Sequence, residues 1–215
     1  MSTRQQESQA ADPAIVDTVV LRYFLLVDQF DLLTRVLGQP VAVSRVVYDP
    51  DDAGEERAMS EIVRSIHVQR QKASDISRSD EEGRQAEEFE RRLSEIHSHF
   101  LRGAISVVDM TESERNLFGR LSAKEHTDEF GLIFPLDEGE SATLAIAVQR
   151  GWVFASDDGD ALRAMISINR RHPYQRIRKL LIEAVDSGLV DEVRANEIHA
   201  EMRRAGFWDR QVPFP

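Results

Sequence analysis

Short β-branched runs alternate with helix-length amphipathic segments along most of this chain, and that alternation restricts it to an α/β fold. Ala14–Val16, Pro40–Val43, Ala104–Val108 and Trp152–Ala155 are short, apolar and bounded by polar or turn-forming residues, so they read as buried strands. Helical spacing fills the gaps: Thr18–Leu26, Phe30–Leu37 ending at Gly38, Thr111–Leu121, Gly139–Arg150 and Asp160–Asn169. Thr111 with Glu114 three residues on forms a capping-box pattern. Beyond these, Tyr174–Ser187 and Asp191–Ala205 read as amphipathic helices that stop at Gly188 and Gly206. Strands that alternate with helices make a mostly parallel sheet covered on both faces. The expected fold is a three-layer α/β/α domain.

The middle of the chain has a different character. Met59, Ile62, Val63 and Ile66 lie at helical spacing, and 72–83 is polar and turn-rich. Ala86, Phe89, Leu93, Ile96 and Phe100 then follow steps of three and four, an apolar seam over two heptads. A lone helix of that length is marginal in water. The expectation is a helical-hairpin insertion at about 51–103 that folds back on itself or packs on a partner chain, a homodimer among the options. Residues 1–12 are polar and read as a flexible tail, leaving 13–215 as a single domain.

Composition narrows the setting. The chain has 215 residues and no cysteine, so neither a disulfide framework nor a thiolate metal site is available, and a cytoplasmic location is expected. The polar N-terminus lacks the apolar core of a signal peptide. The apolar stretch 15–27 is too short to span a bilayer and is interrupted by Asp17 and Arg22, so no membrane role is expected. A net charge of −11 argues against a general nucleic-acid coat protein. Charge is unevenly spread, however. Arg163, Arg170, Arg171, Arg176, Arg178 and Lys179 fall in a stretch (162–182) without an acid, whereas 49–61 is strongly acidic. The basic run reads either as phosphate-binding residues or as a solvated helix face. The six histidines read mainly as solvated surface residues.

Acidic residues recur just past the apolar runs: Asp17, Asp49, Glu140, and the pair Asp157 and Asp158. Each has a structural reading on its own. Asp17 and Asp157–Asp160 suit helix caps, Asp137 with Glu140 has capping-box spacing, and Asp49 before Pro50 suits a turn. Asp17, Glu140 and the pair Asp157 and Asp158 fall at or near the carboxyl ends of the strands, where open α/β sheets bind ligands, and Asp49 would come in from a helix on the same rim. Carboxylates gathered there repel one another unless a cation neutralises them, and hard oxygen donors suit Mg²⁺ or Mn²⁺. Such a cluster points to metal-assisted phosphodiester hydrolysis.

Four segments carry a family likeness: Val16-Asp17-Thr18; Val43-Ser44-Arg45-Val46-Val47-Tyr48-Asp49; Leu136-Asp137-Glu138-Gly139-Glu140-Ser141 with the small-residue run after it; and Phe154-Ala155-Ser156-Asp157-Asp158-Gly159-Asp160. In this order they resemble the PIN-domain family of metal-dependent ribonucleases, and most of all its small prokaryotic toxin-like members. The second segment departs from the pattern, with aspartate where glutamate is usual. The resemblance covers about 13–50 and 104–208, leaving 51–103 outside it.

The resemblance implies an endoribonuclease with Mg²⁺ or Mn²⁺ held by the catalytic residues Asp17, Glu140 and Asp157 or Asp158, with Asp49 helping. It implies Thr18, Ser156 and Asp160 as supporting groups around those carboxylates. The implied partners are an RNA substrate, or DNA, and an antitoxin protein. Competing readings are a PIN-like interaction module without catalysis and a structure-specific DNA nuclease.

Overall fold

Strand β1 (Ala14–Val16) lies in the middle of a five-stranded sheet. The other strands are β2 (Val41–Ser44), β3 (Ile105–Val108), β4 (Val153–Ala155) and β5 (Tyr174–Gln175), in the order β3-β2-β1-β4-β5. All pairings are parallel, with Ile15 opposite both Ala42 and Phe154. This computed structural model describes residues 13–38, 40–52, 59–75, 77 and 79–215. The segment read as a flexible tail, 1–12, lies outside the described residues, as does 53–58 within the insertion.

Alternation along the strands sends side chains to two cores. Val16, Val41, Val43, Ile105 and Ala155 face one core. They pack there against α1 (Thr18–Leu26), α2 (Phe30–Leu37), α3 (Glu61–Ser74), α4 (Asp80–Ser94) and α5 (Ile96–Leu101). The same layer holds α9 (Ile177–Asp186) and α10 (Glu192–Arg204). Ile15, Ala42, Val108 and Phe154 face the other core, built by α6 (Glu112–Leu121), α7 (Glu138–Arg150), α8 (Gly159–Ile168) and the 3-10 segment Lys124–Phe130. The fold is therefore three-layered α/β/α with an all-parallel sheet, as the sequence pattern required. Among the described residues, no helix is long and apolar enough to cross a membrane.

The chain moves outward from β1 through β2 to β3, then crosses back over β1 to β4 and β5. Strand order thus reverses beside β1, and the crevice at the carboxyl ends of β1 and β4 is the natural ligand position in such a sheet.

Three expectations need correction. Tyr174–Gln175 is an edge strand rather than the start of a helix, since Phe154 N–H donates to Pro173 O and Ser156 N–H to Gln175 O, both at 3.0 Å. A two-residue strand shows no periodicity, and the strong helical spacing of Ile177, Leu180 and Leu181 ran over it. The insertion does form a helical hairpin of α3 and α4, but its seam is not free for a partner chain. Ala86, Leu93 and Ile96 are buried, Phe89 and Phe100 pack against the same core, and α4 lies on α1. His99, His172 and His199 are buried rather than solvated, and burial holds each below the usual histidine range.

Candidate active site

Asp17 follows β1 directly and caps α1, its Oδ1 accepting the Val20 N–H at 2.9 Å. The capping role and the site role coincide, because a residue between a strand's end and a helix's start must sit on the ligand-binding rim. Its Oδ2 accepts the Ser156 hydroxyl, which comes from just past β4. Asp17 is fully buried. Burial pushes its carboxyl up to about 7, against the pull of Ser156 and Val20, and Asp157 and Asp158 raise it further.

Glu140 lies in the first turn of α7. Burial is again the main cause that pushes it up, to about 8, followed by the charges of Asp158, Asp17 and Asp137. The Asp137 side chain makes no capping bond, so the capping-box reading of Asp137 and Glu140 is not realised as written. Asp17, Glu140 and Asp158 thus sit close enough for their charges to act on one another.

The acidic pair after β4 divides. Asp158 caps α8 through Oδ1, which accepts from Asp160 N at 2.8 Å and Ala161 N at 2.7 Å, and its charge acts on both Asp17 and Glu140. Asp157 turns toward α9. Its Oδ1 accepts from Arg176 Nε at 3.0 Å and its Oδ2 from the Ile177 N–H at 2.6 Å. Asp157 thus ties β4 to α9 through both oxygens while its charge still acts on Asp17, whereas Asp158 acts on both Asp17 and Glu140. The Asp160 side chain pairs with Arg163 at 2.9 Å, and its support of Asp158 comes from its backbone N–H alone.

Asp49 is not in the centre. Its carboxylate pairs with Arg45 at 2.6 Å and accepts the Asp51 N–H at 3.0 Å. Glu61 stands where Asp49 was expected. Glu61 N–H donates to Val46 O and Ile62 N–H to Val47 O, both at 3.0 Å, so the start of α3 is pinned beside the turn that leaves β2. Glu61 and Ile62 thus lie beside Val46 and Val47 in space although far from them in sequence. The Glu61 carboxylate accepts the Thr18 hydroxyl through Oε2 and the Gly139 N–H through Oε1, the latter at 2.8 Å. A Cβ on Gly139 would lie 2.1 Å from Glu61 Oε2, so glycine is what lets the first turn of α7 close on this carboxylate. The helix-opening Ser60-Glu61-Ile62 was the available signal. That signal is weaker than the one at Asp49, which stands two residues past Val47.

The basic residues also separate. α8 leaves the acidic rim and β5 re-enters the sheet parallel to β4, so the turn between them, with Arg170 and Arg171, lies at the opposite end of the sheet. Arg176, Arg178 and Lys179 follow β5 and return to the rim, where Arg176 meets Asp157.

Comparison with protein-family models, with curated proteins and with solved structures finds no match. Function therefore rests on the chemistry of this rim. Among the described residues, no three acidic or histidine side chains already converge in coordinating geometry. The donor chemistry nonetheless fits a hard divalent ion: all the acids here offer oxygen, and two are driven toward protonation by burial and mutual repulsion.

Proposed function

We propose that this protein is a divalent-metal-dependent nuclease of PIN-like type, an endoribonuclease acting on RNA phosphodiesters. The observation that carries the reading is the coupling of Asp17, Glu140 and Asp158 at the switch point of the sheet, with Glu61 beside them on Thr18 and Gly139. Buried carboxylates concentrated at a ligand-binding rim repel one another and cost stability, and such costs mark functional sites.

In this reading Asp17, Glu61, Glu140 and Asp158 hold Mg²⁺ or Mn²⁺. The bound ion lowers the pKa of a water and stabilises charge on the phosphoryl oxygens. The chain's own contribution is orientation. Ser156 holds Asp17 by one oxygen, Thr18 and the Gly139 amide hold Glu61, and α1 and α8 fix Asp17 and Asp158 as caps. Asp157 acts indirectly, by fixing the loop after β4 against α9. An antitoxin partner and a cytoplasmic setting belong to the same proposal through the toxin-like resemblance.

The test is incubation of the purified protein with single-stranded RNA and single-stranded DNA in Mg²⁺, in Mn²⁺ and in EDTA. Internal cleavage of RNA that needs the ion supports the reading. Cleavage of DNA alone converts it to a DNA nuclease, and no cleavage of either with metal bound leaves an interaction module.

A further inference from the structure

An open cleft of about 390 Å³ lies beside the acidic rim and is lined by Tyr174, Arg176, Arg178, Lys179, Asp209 and Gln211 among others. Its position follows from the sheet. β5 is the strand next to β4, Arg176 comes directly after it, and Arg176 Nε reaches Asp157, the neighbour of the Ser156 that holds Asp17. The cleft therefore opens one strand over from the carboxylates, on the same edge.

Three of the lining side chains are cationic and one, Asp209, is anionic. Their commitments differ. Arg176 is paired with Asp157. Among the described residues, Arg178 hydrogen-bonds to neutral acceptors, Val212 O and Gln211 Oε1, both at 3.2 Å. These fix the guanidinium in place without cancelling its charge. Lys179 lies 4.0 Å from Glu183 with its side chain 58% exposed, a loose pair that surrounding water weakens. Tyr174 is 43% exposed on the edge strand and stacks on no other ring among the described residues. A fixed cation, a mobile cation and an open aromatic face are the elements that bind an unpaired nucleotide: charge for the backbone, a ring for the base.

We infer that this cleft is the subsite for a single-stranded polynucleotide leading away from the acidic centre, with Arg178 and Lys179 on its phosphates and Tyr174 stacked on a base. The inference rests on the nuclease reading for the direction of the strand. A chain of net charge −11 repels nucleic acid overall, so affinity has to come from a local patch of this kind. Duplex is excluded by the stacking, since a paired base offers no free face.

The experiment is fluorescence anisotropy of labelled single-stranded RNA, single-stranded DNA and duplex with the full chain in EDTA, so that no catalysis is required. Either single strand is expected to bind more tightly than duplex, and the tighter of the two identifies the sugar. Arg178→Gln and Lys179→Gln should each flatten the log–log salt dependence by about 0.7. Tyr174→Leu should weaken binding about tenfold, whereas Tyr174→Phe should retain it. Circular dichroism melts confirm that the variants fold. The inference is overturned if no single strand binds, if duplex binds equally well, or if the variants bind like the parent. Cleavage of RNA by variants with unaltered affinity would sink the subsite and leave the nuclease standing. Cleft-dependent binding by a protein that never cleaves would do the reverse.

Discussion

The Glu61 carboxylate accepts the Gly139 amide at 2.8 Å, joining residues 78 positions apart and closing the helical insertion onto the first turn of α7. Because a Cβ at Gly139 would fall 2.1 Å from Glu61 Oε2, the Gly139→Ala variant must displace that carboxylate. The displaced group is the end of a flexible side chain, and alanine favours a helix over glycine by about 1 kcal/mol. Urea unfolding should therefore show stability unchanged or slightly raised, while cleavage falls by roughly 100-fold, the scale of a small misplacement of a reacting group. Glu61→Gln should lose activity in the same way. Wild-type cleavage by both variants would remove Glu61 from the site.

Asp157 and Asp158 are adjacent in sequence and opposite in role. Asp157→Ala leaves the buried Ile177 N–H without its acceptor and unpairs Arg176, so it should cost about 1–3 kcal/mol in urea unfolding. Asp158→Asn keeps a capping oxygen and should change stability little, yet weaken metal binding as read by calorimetry. The opposite pattern would exchange the two assignments.

Asp17 and Glu140 set a pH dependence of stability. Their folded values, about 7 and about 8, exceed the ordinary carboxylate values of 3.8 and 4.5. The native state therefore holds protons that the unfolded chain releases, and stability falls as pH rises from about 4 to about 8. Thermal melts without metal should show this decline, flattened in Asp17→Asn and in Glu140→Gln. Added Mn²⁺ should restore Tm at pH 8 in the parent and much less in either variant. A flat profile for the parent would contradict the burial of these acids.

Leu93 and Ile96 are fully buried in the core shared with α1. Leu93→Ala should cost about 2–5 kcal/mol. Phe89→Asp with Leu93→Asp should lower helix content and stability without changing the mass found by light scattering. A change in mass alone, with stability intact, would return the seam to an interface.

The layers were legible in sequence because short β-branched runs and helical spacing rarely mislead when they alternate. The rim positions of Asp17 and Asp158 were legible for the same reason, each lying between a strand's end and a helix's start, whereas Glu140 reaches the rim from the first turn of α7, which follows no strand directly. Glu61 was not legible, because its place is set by two backbone hydrogen bonds to Val46 and Val47, and sequence distance carries no trace of them. Asp157 could not be told from Asp158, since which of two neighbours faces the crevice depends on the arrival of Ile177 and Arg176 from α9. The split of the basic run between the two ends of the sheet turns on the two-residue strand Tyr174–Gln175.

Single-turnover cleavage of saturating single-stranded RNA with Mn²⁺, comparing the parent with Asp17→Asn and Glu140→Gln, decides whether the rim carboxylates work as a metal-dependent nuclease site. Both substitutions keep side-chain shape and remove one charge. The expected result is ion-dependent cleavage by the parent and its loss in both variants, with the circular dichroism spectrum unchanged. Cleavage by either variant at the parental rate, or parental cleavage undiminished in EDTA, would contradict a metal-dependent nuclease site at this rim.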